Sequence, residues 1–183
     1  MTTTIDDCKY VREHVRIVPD FPKKGIMFLD ITTAIKDAKA MQMMTDYLYE
    51  QFKTSNIDYV AGIESRGFIF GAALAYKLGC GFVTIRKPNK LPAKTIKENY
   101  TLEYGTNTIE IHEDAIEKGS RVVVIDDLLA TGGTAMAACN LINRIGAEVV
   151  STAFIIELDP LNGRQKIEAA GYKVLSMLHY DLD

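Results

Sequence analysis

The stretch Arg121-Val-Val-Val-Ile-Asp-Asp-Leu-Leu-Ala-Thr-Gly-Gly-Thr134 limits the fold more than any other part of the chain. Val122, Val123, Val124 and Ile125 are all β-branched and leave no polar face, the pattern of a strand buried on both sides in a parallel sheet. Two carboxylates follow at once, and the Thr-Gly-Gly-Thr turn opens a helix over residues 133–145. A buried strand that turns through glycines into a helix is a β–α unit. Ligands of open α/β sheets bind at that end of the strands.

The rest of the chain keeps the same alternation. Met41, Met44, Leu48 and Phe52 recur at three- and four-residue spacing and predict a helix over 38–52. Residues 58–63 read as a buried strand, 67–78 as an apolar helix packed on it, and 80–85 as a second strand. Further strands are expected at 149–156 and 173–178, with a short helix over 164–170 between them. At the N-terminus, Cys8, Val11, Val15 and Val18 form a helical stripe over 6–17, which Pro19, Pro22 and Gly25 then break into a loop. Strands alternating with helices mean an α/β protein with a central, mostly parallel sheet flanked by helices. In 183 residues no repeat or linker divides the chain, so one domain over 1–183 is expected, with 1–34 as an N-terminal helix and loop.

Between residues 86 and 99 periodicity is lost. Arg86, Lys87, Lys90, Lys94 and Lys97 are interspersed with Pro88, Asn89 and Pro92, and a loop of this length in a compact domain is usually functional or mobile. Tyr100-Thr-Leu-Glu-Tyr104 and Thr108-Ile-Glu-Ile-His112 then alternate with period two around Gly105-Thr-Asn107, predicting a β-hairpin. On that pattern alone Glu103 and Glu110 are both exposed strand carboxylates.

Composition excludes several classes. With 48% apolar and 25% charged residues the chain is an ordinary globule, not a disordered or collagenous one. A net charge of −3 lacks the basic footprint of a nucleic-acid binder, while leaving room for a local pocket that takes one phosphorylated small molecule. Cys8, Cys80 and Cys139 have no C-x-x-C spacing, and His14, His112 and His179 form no ligand pair, so no thiolate or histidine metal site is indicated. The polar N-terminus lacks a signal-peptide core, and no apolar run approaches the roughly 18 residues of a membrane span. A cytoplasmic protein with neither membrane nor nucleic-acid partners is the expectation.

The chemistry concentrates at residues 126–134. Glycines let backbone N–H groups close on an anion, the hydroxyls of Thr131 and Thr134 add donors, and the following helix dipole favours negative charge. Such a turn suits a phosphate. Asp126 and Asp127 repel phosphate, so their partners are sugar hydroxyls or a hydrated Mg²⁺. A P-loop is excluded because no lysine follows the glycines.

These residues resemble the phosphoribosyl-pyrophosphate (PRPP) motif of the type I phosphoribosyltransferases. Pro19-Asp-Phe-Pro-x-x-Gly25, Glu64-Ser-Arg-Gly-Phe68 and Tyr100-Thr-Leu-Glu-Tyr-Gly105 narrow the resemblance to the family's adenine-specific branch, in the same order and over nearly the whole chain. The resemblance implies a type I phosphoribosyltransferase-like sheet with a small N-terminal hood over 1–34 and a β-hairpin flap. It implies transfer of the phosphoribosyl group of PRPP to adenine, giving AMP and pyrophosphate with Mg²⁺ as cofactor. In that reading Asp126 and Asp127 hold the ribose hydroxyls, with an indirect share in Mg²⁺, and Ala130, Thr131, Gly132, Gly133 and Thr134 cradle the 5-phosphate. Ser65, Arg66, Arg86, Lys87 and Lys90 serve pyrophosphate, Arg66 also acting in catalysis. Glu103 meets adenine N7 beside Tyr104. A non-proline cis bond before Ser65 and a homodimer, with Arg86 reaching the neighbouring site, are also implied.

One departure concerns the hood. The family often has Phe-Arg-Asp-Ile where this chain has Phe28-Leu29-Asp30-Ile31, so adenine recognition is expected to lean on the backbone near Ile26 and Met27, with apolar cover from Phe28, Leu29 and the strand end around Ile155. A 6-oxopurine phosphoribosyltransferase is the nearest rival, but Phe154-Ile-Ile-Glu-Leu-Asp159 lacks the lysine such enzymes carry there. A non-catalytic PRPP sensor usually adds a DNA-binding module, for which 183 residues leave no room.

Overall fold

Five parallel strands form the spine of the computed structural model, which describes residues 5–101 and 106–182. The elements run α1 (Ile5–His14), β1 (Arg16–Pro19), β2 (Met27–Asp30), α2 (Thr32–Lys36), α3 (Ala38–Phe52), β3 (Tyr59–Ile63), α4 (Gly67–Leu78), β4 (Gly81–Ile85), β5 (Thr95–Thr101) and β6 (Thr106–His112). The chain continues with β7 (Arg121–Leu129), α5 (Gly133–Ile145), β8 (Glu148–Leu158), α6 (Gly163–Ala169) and β9 (Val174–Tyr180). The central sheet has the order β4-β3-β7-β8-β9, while β1-β2 and β5-β6 are separate antiparallel hairpins.

β7 sits in the middle because both its faces are apolar. Val123 and Ile125 pack with Met44, Leu48, Phe70 and Leu74 of α3 and α4. Val122 and Val124 face the opposite layer, with Leu141 and Ile142 of α5 and Ile109 and Ile111 of β6. Each fully buried side chain of this kind contributes about 1.5–3 kcal/mol of transfer free energy. Asp37 sets the start of α3 by accepting a hydrogen bond from the Ala40 N–H at 2.8 Å.

Several boundaries differ from the sequence expectation. The first helix stops at His14, and Val18 belongs to β1 opposite Phe28, because the β-branched run Val15-Arg-Ile-Val18 is better used as a strand against Met27–Asp30. β5 begins at Thr95, inside the segment read as a loop, and its register pairs Thr101 with Thr106 and Tyr100 with Asn107. Thr106 and Asn107 therefore lie in β6 and not in the turn. β7 continues past Ile125 to Leu129, so Asp126 and Asp127 lie within the strand.

That extension creates the crevice. β3 pairs with β7 only as far as Gly62 opposite Ile125, while β8 accompanies β7 through Leu129 opposite Glu157. From Asp126 onward one edge of β7 is uncovered. The strand following β3 lies to one side and the strand following β7 to the other, which makes this gap the switch point of the sheet.

Candidate functional site

Asp126 and Asp127 project to opposite sides of β7 at the point where β3 has ended. Asp127 is buried, and its Oδ2 lies 2.7 Å from the Arg66 Nε. The Asp127 N–H donates to Asp126 Oδ1 at 2.9 Å. Burial pushes the Asp126 carboxyl well above the usual carboxylate range, and the negative neighbour Asp127 adds to the effect. Burial also raises Asp127, with the Arg66 guanidinium pulling it back. Arg66 is this close because α4 starts hard against β7: a Cβ on Gly67 would lie 2.5 Å from the Ile125 carbonyl oxygen.

Two hollows meet at Asp126. One, of about 320 Å³, is lined by Glu64, Ser65, Arg66, Lys87, Asp126 and Asp127. The Glu64–Ser65 peptide at its base is cis. The other, of about 120 Å³, is formed by residues 128–135 with Asp126 and Phe154, and so contains Ala130, Thr131, Gly132, Gly133 and Thr134. Gly132 has φ +74° and, as the residue capping α5, brings no side chain to the first-turn N–H groups, in a hollow that Thr131, Thr134 and Asp126 also line.

The basic residues expected on pyrophosphate are not equivalent. Lys87 lines the larger hollow, whereas Arg86 donates from Nε and Nη2 to Glu64 at 3.2 Å each and from Nη1 to the Lys90 carbonyl. Hydrogen bonding from Arg86 holds the Glu64 carboxyl below the usual range. Lys90 is exposed. In this arrangement Arg86 holds the base of the 86–99 segment to the end of β3, a contact the sequence did not reveal.

The hood contacts divide by strand face. Ile26 and Met27 are exposed, and Phe28 lies at 6.0 Å from the Arg66 guanidinium with Phe21 edge-on at 5.1 Å. Leu29 is only 3% exposed and Ile155 fully buried, both within the main core cluster. Their expected place as open apolar cover for a base is corrected accordingly: the one-residue step from Phe28 to Leu29 turns the side chain from the site into the core. Where the family often carries Arg, this chain thus places a core residue.

Glu103 and Tyr104 lie outside the described residues. Glu110, expected to be an exposed strand residue, is 2% exposed. Its carboxylate accepts from the Asn89 N–H at 2.6 Å and the Thr95 hydroxyl at 3.0 Å, with Lys97 Nζ at 3.3 Å. Burial works to raise this carboxyl, and the bonds from Thr95, Lys97 and Asn89 outweigh it, leaving it below the usual range. Its main chain also exchanges two hydrogen bonds with Arg86, at 2.9 and 2.8 Å. Alternation assigned Glu110 outward correctly, but the 86–95 segment folds over that outward face.

Residues 32–180 match the model of the phosphoribosyl transferase domain family. The adenine phosphoribosyltransferase of Koribacter versatilis is 54% identical over 171 residues, covering 93% of both chains. Among solved structures, the adenine phosphoribosyltransferase of Thermoanaerobacter pseudethanolicus superimposes with a TM-score of 0.90 at 48% identity, covering 94% of this chain and 99% of that one. The Saccharomyces cerevisiae enzyme, complexed with an imino-altritol bisphosphate and adenine, gives a TM-score of 0.89 at 38% identity over 96% of this chain and 100% of that one.

Proposed function

The chain belongs to the adenine phosphoribosyltransferases, within the phosphoribosyl transferase family, whose reaction moves the phosphoribosyl group of PRPP onto adenine to give AMP and pyrophosphate, and we propose that it performs this transfer across the Asp126–Asp127 crevice. The observation that carries the assignment of parts is that the two hollows share Asp126. PRPP has a phosphate at one end of its ribose and a pyrophosphate at the other, so a single molecule laid over Asp126 and Asp127 fills both.

In this reading the 5-phosphate enters the turn at Ala130, Thr131, Gly132, Gly133 and Thr134, held by backbone N–H groups at the α5 start. The ribose 2- and 3-hydroxyls donate to Asp126 and Asp127. Pyrophosphate lies against Ser65, Lys87 and the Arg66 guanidinium, whose Nε contact with Asp127 orients the rest of the fork toward phosphate oxygens. Adenine stacks near Phe28 beside Ile26 and Met27. As the C1–oxygen bond breaks, its electron pair leaves with pyrophosphate and positive charge develops on the ribose ring, where the adjacent carboxylates stabilise it. The adenine N9 lone pair then forms the new bond to C1, and the N7 proton passes to Glu103.

The residues fit Mg²⁺ as well. Asp126 and Asp127 supply the hard oxygen donors that ion prefers, in a cleft polar enough to keep its waters. Held mainly by PRPP oxygens, with the two aspartates through water, Mg²⁺ would neutralise charge on the departing pyrophosphate. Closure of the β5-β6 flap excludes water that would otherwise hydrolyse PRPP.

Two wider features of the reading have support. Ile69, Ala72, Ala73 and Tyr76 form a stripe on α4, Tyr76 being 88% exposed, which suits a second copy of the chain in a homodimer. Cys8, Cys80 and Cys139 are thiols, in keeping with a cytoplasmic enzyme; among the described residues no helix is long and apolar enough to cross a membrane.

The phosphate assignment is tested with Gly132→Val. A Cβ there would come within 2.9 Å of the Gly163 carbonyl oxygen at a φ that side chains rarely adopt. Isothermal titration should show AMP binding weakened by roughly tenfold or more, with adenosine little changed. Unaltered AMP affinity would move the phosphate elsewhere.

A further inference from the structure

Behind the glycine turn lies a contact that neither the motif nor the reaction assigns. Gly163, the first residue of α6, is packed so tightly on the turn that a Cβ would sit 2.1 Å from the Ala130 carbonyl oxygen, 2.8 Å from Leu129 Cδ1 and 3.0 Å from the Gly132 nitrogen. Gly132 is closed from its own side, since its Cβ would meet the Gly163 oxygen at 2.9 Å and Cα at 3.3 Å. The two glycines therefore stand back to back. One shapes the turn, and the other limits how far the turn can recede.

The next residue anchors that contact. Arg164 donates from Nε and Nη2 to the two carboxylate oxygens of Glu157, at 2.9 and 2.6 Å, and from Nη1 to the Val174 carbonyl at 3.0 Å. Glu157 is 4% exposed, and on β8 it lies opposite Leu129, the residue from which the turn springs. A bidentate pair of this kind fixes orientation as well as distance. Through it α6 is tied to the same strand pair that ends in the turn.

We propose that Gly163 and the Arg164–Glu157 pair are positioning residues for the 5-phosphate, bracing residues 130–132 so that their N–H groups converge before the ligand arrives. The proposal rests on the reading of 130–134 as the phosphate cradle. A site of preorganised donors loses affinity steeply when they are displaced by about an ångström, and a methyl at Gly163 demands a shift of that order in the Ala130 peptide. The loss should then be confined to ligands that carry the phosphate.

The test compares Gly163→Ala, Arg164→Lys and Gly132→Val for binding of AMP and adenosine, with steady-state kinetics and thermal melts. Gly163→Ala should weaken AMP roughly tenfold, raise KM for PRPP more than it lowers kcat, and leave adenosine within twofold. Arg164→Lys, which keeps the charge but loses the fork, should show the same selective pattern at about threefold, and it decides the matter if Gly163→Ala does not fold. A lowered Tm with unchanged AMP affinity and PRPP KM in the folded variants would overturn the brace. If Gly132→Val weakens AMP while the other two do not, the brace alone fails. If none of the three weakens AMP, the cradle reading fails with it.

Discussion

Asp126→Asn is expected to lower kcat for AMP formation by about 10²–10³-fold while raising the Tm of the ligand-free protein at neutral pH. The two effects have one cause. Burial and the neighbouring Asp127 hold the Asp126 carboxyl well above its ordinary range, so its ionised form, which the positively charged ribose needs, is unfavourable in the empty site. Asparagine keeps the oxygen that accepts from the Asp127 N–H and removes the charge. The sign follows from linkage. Where the native pKa is raised, the native state binds more protons than the unfolded one, so stability falls as pH rises from the ordinary aspartate value of about 3.9 through the native value. The wild-type chain should show this decline and the variant should show less of it, so their Tm values converge in acid and separate toward neutrality. Thermal melts over that range check it, together with pyrophosphate release under saturating PRPP and adenine. A variant less stable than wild type at pH 7, or one with undiminished kcat, would remove Asp126 from this role.

The contrast between regions shows what a sequence of this kind makes legible. Helices 38–52 and 67–78 and the strand core Val122–Ile125 could be read because each buries a continuous apolar stripe or run; Asp37 caps the start of the first helix and Gly79 closes the second in the left-handed region, while the polar pair Asp126 and Asp127 masked the continuation of β7 to Leu129. The β1-β2 hairpin could not, since four-residue strands have no period of their own and depend on a partner across the Pro19–Gly25 loop. β5 was obscured for a different reason. Its charged face is solvent-rich and only Ile96 marks the inward side at its start, so the run from Thr95 resembled the basic loop before it.

Among site residues the motif-borne ones were accessible, because Asp126, Asp127 and the glycine turn are contiguous in sequence. Tertiary ones were not. Leu29 and Phe28 are neighbours whose faces are set by pairing with Ile17 and Val18, and nothing local says which of them looks into the core. Gly163 and Glu157 act on the turn from about 30 residues away, through a backbone approach and a buried ion pair. Neither leaves a periodic trace.

Glu103 and Glu110 test whether two carboxylates of the 95–112 segment have separate duties. In the proposed reading Glu103 meets adenine N7 and accepts the proton that must leave as N9 bonds to the ribose; help of this kind is worth ~10²–10⁴ in rate. Glu103→Leu should therefore melt like wild type, bind PRPP normally, and lose at least ~10²-fold in kcat/KM for adenine. Glu110 has a different duty, because its buried carboxylate gathers the Asn89 N–H, the Thr95 hydroxyl and Lys97, while its backbone holds Arg86. Lys97 is half exposed and adds little. Stranding the other two donors should cost about 1–3 kcal/mol, which in a chain of this size lowers Tm by roughly 2–12 °C. The loss from Glu110→Leu should also depend on pH, since a carboxyl held below its ordinary range stabilises the fold above that range and ceases to as the solution is acidified. Melting temperature and kcat/KM measured on both variants thus give opposite patterns, stability lost in one and turnover in the other. Were Glu103→Leu to melt early with its kcat/KM intact, the catalytic assignment would fall and both carboxylates would belong to the architecture of the flap.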